Sequence, residues 1–215
     1  MEYETIIVTK ADHVATITIN RPEALNSFTK RMLEEFDYLW KDISADDDVH
    51  CVVLRAAKGR AFSTGVDVKD SQTPEGKIMH DNIWTAQDPG DFLGPKANRC
   101  WKPVVCAVHG MAAGGAFYWI NESDIIICSD EATFFDPHVT YGMTSALEPI
   151  GATYRMPLGD VLRMALLGND ERIGAETAKR IGLVSEVVTL ERLWERADEL
   201  GRQIAAKPPA ATQGT

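Results

Sequence analysis

An α/β layer fold is predicted for this 215-residue chain, and two observations carry the prediction. Short, wholly apolar runs, CVVLR at 51–55 and PVVCAV at 103–108, are each followed by a glycine-bearing loop and then by small residues, the order of buried strand, loop and helix. Strand-like and helix-like segments also alternate along the chain, as a layered sheet with crossover helices requires. At about 150 residues per domain, the length gives one generous domain or a cramped two, with ample sequence for a core.

The elements follow in order. Residues 4–9 and 13–19 are β-branched and broken at Ala11-Asp12, a hairpin or meander that Arg21-Pro22 ends. From Thr29 onward, Met32, Leu33, Phe36, Leu39, Trp40 and Ile43 recur at three- and four-residue spacing, the stripe of an amphipathic helix entered through Ser27 or Thr29 as N-cap. The apolar runs at 51–55 and 103–108 are buried strands, Ile125 to Cys128 is a third, and Ala132 to Phe135 is a short fourth. Between 70 and 100 the chain turns polar and Gly/Pro-punctuated, with Trp84, Phe92 and Trp101 scattered through it, and reads as a mobile loop-helix region over a pocket. Helical patterns at 174–181 and 190–206 surround a short strand at 183–188. The chain closes on KPPAATQGT, which reads as an interrupted end.

Composition narrows the function classes. Apolar residues at 45% and charged residues at 25% are globular values that exclude disordered, collagen-like and disulfide-scaffold chains. With 22 basic against 32 acidic residues the net charge is −10, so nucleic acid is not an expected partner. Cys51, Cys100, Cys106 and Cys128 form no C-x-x-C pair and lie mostly in apolar runs, as free thiols in a reducing compartment do. Neither a signal-peptide pattern nor a membrane span is read from the sequence, and a cytoplasmic location without a membrane partner is expected. The phosphate-binding, zinc-protease and nucleophile-elbow signatures are absent, and five histidines lack metal spacing, so no metal is expected.

Two glycine segments carry the positive signal: Lys58-Gly59-Arg60-Ala61-Phe62-Ser63-Thr64-Gly65-Val66-Asp67 and His109-Gly110-Met111-Ala112-Ala113-Gly114-Gly115-Ala116-Phe117. Each follows an apolar strand, and the second enters a helix whose first N–H groups have no internal partner. One such N–H from each segment can hold an oxygen on which negative charge develops, a contribution of about 2.7–4 kcal/mol per donor. The competing explanation is that these glycines serve tight turns and close packing alone.

The pair resembles the crotonase, or enoyl-CoA hydratase/isomerase, family. Arg21-Pro22-Glu23-Ala24-Leu25-Asn26 looks like that family's early CoA-contacting turn, AFSTGVD its first oxyanion segment, KPVVCAVHG its central strand, AAGGAF its second oxyanion segment, and Arg172 to Val188 its late helix-strand signature. The resemblance implies a crotonase-like spiral of ββα repeats over residues 1–188. It also implies that 189–215 starts a C-terminal helical trimerisation region that is truncated, and that the assembly is a homotrimer or dimer of trimers. Acyl-CoA thioesters would be the substrates, with coenzyme A as part of the substrate and no separate cofactor. Carried over residue by residue, the oxyanion donors are the backbone N–H groups of Val66 and Gly115, while Arg21, Ala24 and Leu25 lie near the CoA chain.

The resemblance breaks at the proton-transfer positions. Relatives that hydrate enoyl thioesters place one glutamate three residues after the second oxyanion glycine and another directly after a later proline, where this chain has Tyr118 and His138. Histidine, with an ordinary pKa of about 6.5, can act as a base at neutral pH, whereas tyrosine near 10 can only donate. His138 and Tyr118 are therefore the first catalytic candidates. Glu148, between Leu147 and Pro149 in what reads as a loop, is a third, although solvent is the commoner destination for such a carboxylate. Asp67 and Asp124 read as backbone caps, Trp84 and Trp101 as packing residues, and Asp70, His80 and Asp81 as polar groups able to touch an acyl chain. An enzyme with a non-standard acid/base set is expected, the alternative being a catalytically silent acyl-CoA-binding relative.

Overall fold

The computed structural model describes residues 2–78 and 87–215. His80, Asp81 and Trp84 lie outside the described residues. The opening hairpin is β1 (Ile6–Ala11) and β2 (Val14–Ile19), antiparallel and joined at Asp12 and His13, both with positive φ. Helix α1 (Lys30–Ala45) starts at Thr29, whose side chain accepts from the Met32 N–H. Then come β3 (Cys51–Ala56), β4 (Ala61–Ser63), α2 (Val68–Ser71), α3 (Gly90–Leu93), β5 (Val104–Val108), β6 (Met111–Ala113) and α4 (Phe117–Glu122). The chain continues through β7 (Ile125–Ser129), β8 (Thr133–Phe135), α5 (Leu147–Ala152), α6 (Leu158–Leu167), β9 (Ile173–Gly174), α7 (Ala175–Arg180), β10 (Glu186–Val188), α8 (Leu190–Ala205) and α9 (Pro209–Gly214).

The strands form two sheets, one ordered β1-β2-β3-β5-β7-β10 and the other β4-β6-β8-β9. Each of β3, β5 and β7 lies in the first sheet and hands over at once to β4, β6 or β8 in the second, after which the chain turns helical. These are successive ββα turns of a spiral, with parallel pairing from β2 through β10 in the large sheet.

The apolar runs are continuous because the large sheet is covered on both faces. On one side α1 and α4 build a cluster in which Phe36 and Trp119 ring centroids lie 5.2 Å apart and Phe28 and Phe62 meet Trp119 edge-on. On the other, α8 lays Leu193, Ala197 and Ala205 on Val53, Val105, Ala107 and Ile127. Gly201 permits the close approach, since a Cβ there would stand 2.8 Å from Val53 Cγ2. Helix α8 is thus continuous with the core that precedes it. All four cysteines are buried and free, and burial pushes Cys51, Cys106 and Cys128 up to about 12.

Three expectations need correction. Helix α5 occupies the stretch around Glu148 read as loop, because Pro149 falls in its first turn, where a missing N–H costs the helix nothing. Trp101 does not pack, being 58% exposed. The strand expected at 183–188 begins only at Glu186, with Leu183 and Val184 buried in the turn before it.

Candidate functional site

The site grows from the handover between sheets. After β4 the chain passes Gly65 at φ +81°, a conformation L residues rarely adopt. Phe28 N–H donates to Gly65 O and Asp67 N–H to Phe28 O, both at 2.8 Å. These two bonds straddle Val66 and leave its own N–H facing the opposite side. Asp67 caps α2 by accepting from the Lys69 and Asp70 N–H groups, so it is the backbone cap expected of it. Asp124 likewise accepts from the Val104 N–H at 2.7 Å.

The second segment leaves β6, turns at Gly114 (φ +51°) and enters α4 through a single 3₁₀ turn at Gly114–Ala116. Gly115 lies in the first turn, where an N–H finds no acceptor within the helix. Among the described residues neither the Val66 nor the Gly115 N–H meets a protein acceptor. The segments touch: a Cβ on Gly65 would lie 2.9 Å from the Gly115 nitrogen. The sequence therefore brings two unpartnered donors to one place, and only glycine at 65 lets them meet.

The early turn acts as a brace. Asn26, fully buried, donates through Nδ2 to Ala61 O and accepts from the Arg21 N–H. The Arg21 guanidinium donates to Ser27 O at 2.6 Å and to Asp67 at 3.0 Å. Ala24 and Leu25 stand half-buried on the same turn, Leu25 with φ +54°. Arg21 thus ties the turn to the first donor segment.

His138 abuts the second. A Cβ on Gly114 would stand 3.7 Å from His138 Cε1. The imidazole is held between two carboxylates, Nδ1 at 2.5 Å from Asp136 Oδ1 and Nε2 at 3.6 Å from Glu148 Oε1. The hydrogen bond with Asp136, aided by the charges of Asp136, Glu148 and Asp88, raises the His138 pKa above its ordinary value against the opposing effect of burial. Glu148 is 5% exposed, on the first turn of α5, with its carbonyl tied to Asn121 Nδ2; the solvent-facing loop position expected for it is corrected. Burial raises its carboxyl pKa, partly offset by the His138 charge.

Tyr118, on α4, donates its hydroxyl to Asp88 Oδ2 at 3.1 Å and packs its ring beneath Gly90. Burial first, then the Glu148 and Asp88 charges, push its pKa well up, so the phenol is a neutral donor. Asp88 is itself raised by burial. Asp136, Asp88 and Ser145 were not singled out from sequence. The only hint was the two-residue spacing of Asp136 and His138 about Pro137, which fits an Asx turn. Asp70 sits on α2 and hydrogen-bonds Thr73. Among the described residues no cluster of three or more His, Cys, Asp or Glu side chains is arranged for a metal ion, and no helix is long and apolar enough to cross a membrane.

Known proteins resemble the chain over nearly its whole length. The family model for Enoyl-CoA hydratase/isomerase matches residues 9–214. A Short-chain-enoyl-CoA hydratase of Clostridium acetobutylicum is 34% identical over 222 residues, covering 99% of this chain and 80% of that protein. The 1,2-epoxyphenylacetyl-CoA isomerase of Escherichia coli is 32% identical over 206 residues, covering 91% and 74%. Among solved structures, an enoyl-CoA hydratase/isomerase from Mycobacterium paratuberculosis superposes with a TM-score of 0.89 at 36% identity, covering 99% of this chain and 81% of that one.

Proposed function

The chain belongs to the enoyl-CoA hydratase/isomerase family and is an acyl-CoA-transforming enzyme of that type; on that premise we propose that it stabilises a thioester enolate between the Val66 and Gly115 N–H groups while His138 moves the proton at the α-carbon. The observation that carries this reading is the meeting of two unpartnered N–H donors beside an imidazole held between carboxylates.

With the thioester oxygen on the two donors, His138 Nε2 takes the Cα proton, the C–H electron pair moves into the carbonyl, and charge collects on oxygen. Returning the proton to the same or the vinylogous carbon gives exchange or double-bond migration. With an enoyl group, Glu148 is placed to take a proton from water as His138 supplies one to Cα, so the two separated carboxylates of hydrating relatives are replaced by an imidazole and a carboxylate. Tyr118, neutral, donates a hydrogen bond and carries no base role. The turn at Arg21, Ala24 and Leu25 is proposed to receive the CoA chain.

Exchange separates an enzyme from a silent binder. Butyryl-CoA in D₂O should lose its α-proton NMR signal with catalytic protein and keep it without. Tight CoA binding with no exchange would favour the binder.

The surface also supports a proposal about assembly. Ile150 of α5, Tyr154 in the turn after it, and Leu158, Leu162 and Leu166 of α6 are all exposed, and exposed apolar side chains of this kind suit a subunit interface. A homotrimer or dimer of trimers is proposed, and light scattering should give three or six times 23.7 kDa. A monomer at micromolar concentration would contradict it.

A further inference from the structure

Asp136 is fully buried, so no substrate reaches it, yet it holds the nitrogen of His138 that faces away from Glu148. Three donors converge on its carboxylate. The His138 N–H reaches Oδ1 at 3.1 Å, His138 Nδ1 reaches the same oxygen at 2.5 Å, and the Ser145 hydroxyl donates to Oδ2. Burial alone would raise this carboxyl, but the hydrogen bonds from His138 and Ser145 outweigh it and hold the group below its ordinary range, hence ionised.

The surrounding turn is closed on itself. Pro137 precedes a 3₁₀ turn at His138–Tyr141, Gly142 takes φ +72°, and the Met143 N–H donates back to His138 O at 3.0 Å. That closure returns the chain so that Ser145 meets Asp136 nine residues after it. The loop is thus built around one carboxylate and one imidazole.

We propose that Asp136, supported by Ser145, is a positioning residue that keeps the proton of neutral His138 on Nδ1 and so makes Nε2 the nitrogen that exchanges protons with substrate. An ionised acceptor opposite Nδ1 admits only a donor there, and the lone pair is then on Nε2. The charged or titratable groups facing this ring are Asp136 from its own turn, Glu148 from α5 and Asp88 from the segment before α3. Asp136 and Glu148 take opposite nitrogens, so the two carboxylates have different tasks. The proposal rests on the proton-transfer reading of the site, whereas the tautomer measurement that tests it does not.

Nitrogen-15 NMR of the unmodified protein, with His138 assigned by its loss in His138→Gln, should show the Nδ1–H tautomer at high pH. In Asp136→Asn that preference should weaken. The kcat for α-proton exchange should fall by about tenfold or more while KM for acyl-CoA holds, and the midpoint of the pH profile should move down. Ser145→Ala should move the midpoint the other way, because the carboxylate loses a donor and concentrates its charge on the imidazole. An Nε2–H tautomer in the unmodified protein would overturn the proposal. So would an Asp136→Asn variant that loses thermal stability but keeps its tautomer and pH midpoint, since that is a structural role alone. If no acyl-CoA exchanges its α-protons, the reaction reading fails, and the NMR tautomer still decides the role of Asp136.

Discussion

The His138→Ala variant should exchange the α-protons of bound butyryl-CoA between about 10² and about 10⁴ times more slowly than the unmodified protein, the usual contribution of a placed general base. Binding should survive, because the oxygen donors are backbone groups on two other segments. In the unmodified protein the rate should rise with pH as Nε2 loses its proton. Its midpoint should lie above the ordinary imidazole value of about 6.5, since the Asp136 hydrogen bond and the surrounding carboxylate charges favour the protonated ring. An exchange rate unchanged in His138→Ala would transfer the base role to Glu148, the carboxylate 3.6 Å from Nε2.

Gly65→Ala tests the other half of the site and should be nearly as severe. The new Cβ would stand 2.9 Å from the Gly115 nitrogen and 3.2 Å from Ala113 O, both backbone atoms, at a φ of +81° that alanine resists. The two segments must separate, and losing one donor costs about 10²–10³ in rate. Melting temperature should fall as well, because a non-glycine residue in a sparsely populated region costs on the order of 1–3 kcal/mol. Gly159→Ala is the control: its Cβ meets nothing within 4 Å and it lies inside α6, where alanine is the better helix former. Full exchange activity in Gly65→Ala would remove Gly115 from the oxygen site.

The backbone half of the site was legible in sequence because glycine there answers a steric demand that spacing reveals. Gly65 and Gly114 follow the short strands β4 and β6, and the apolar runs further upstream mark β3 and β5. The thiols were nearly as plain, since three of the four cysteines lie in apolar runs and all four are buried. The side-chain half was only partly visible. His138 and Tyr118 were found from the positions where relatives carry glutamates, which made the site look poor in carboxylate. Glu148 was a candidate from sequence, but its place on a helix masked by Pro149 was not, and folding adds Asp88 from a polar stretch without periodicity and Asp136 beside a proline that reads as a plain turn. Such groups meet only through tertiary contacts, which neither propensity nor spacing encodes.

The role of the two backbone donors is most directly tested by isotope-edited infrared spectroscopy of an acyl-CoA labelled with ¹³C at the thioester carbonyl. Hydrogen bonds from the Val66 and Gly115 N–H groups should lower the carbonyl stretching frequency on binding, and Gly65→Ala should return it toward the value in water. A bound thioester whose carbonyl frequency matches that in water, or one whose shift survives Gly65→Ala intact, would contradict the account.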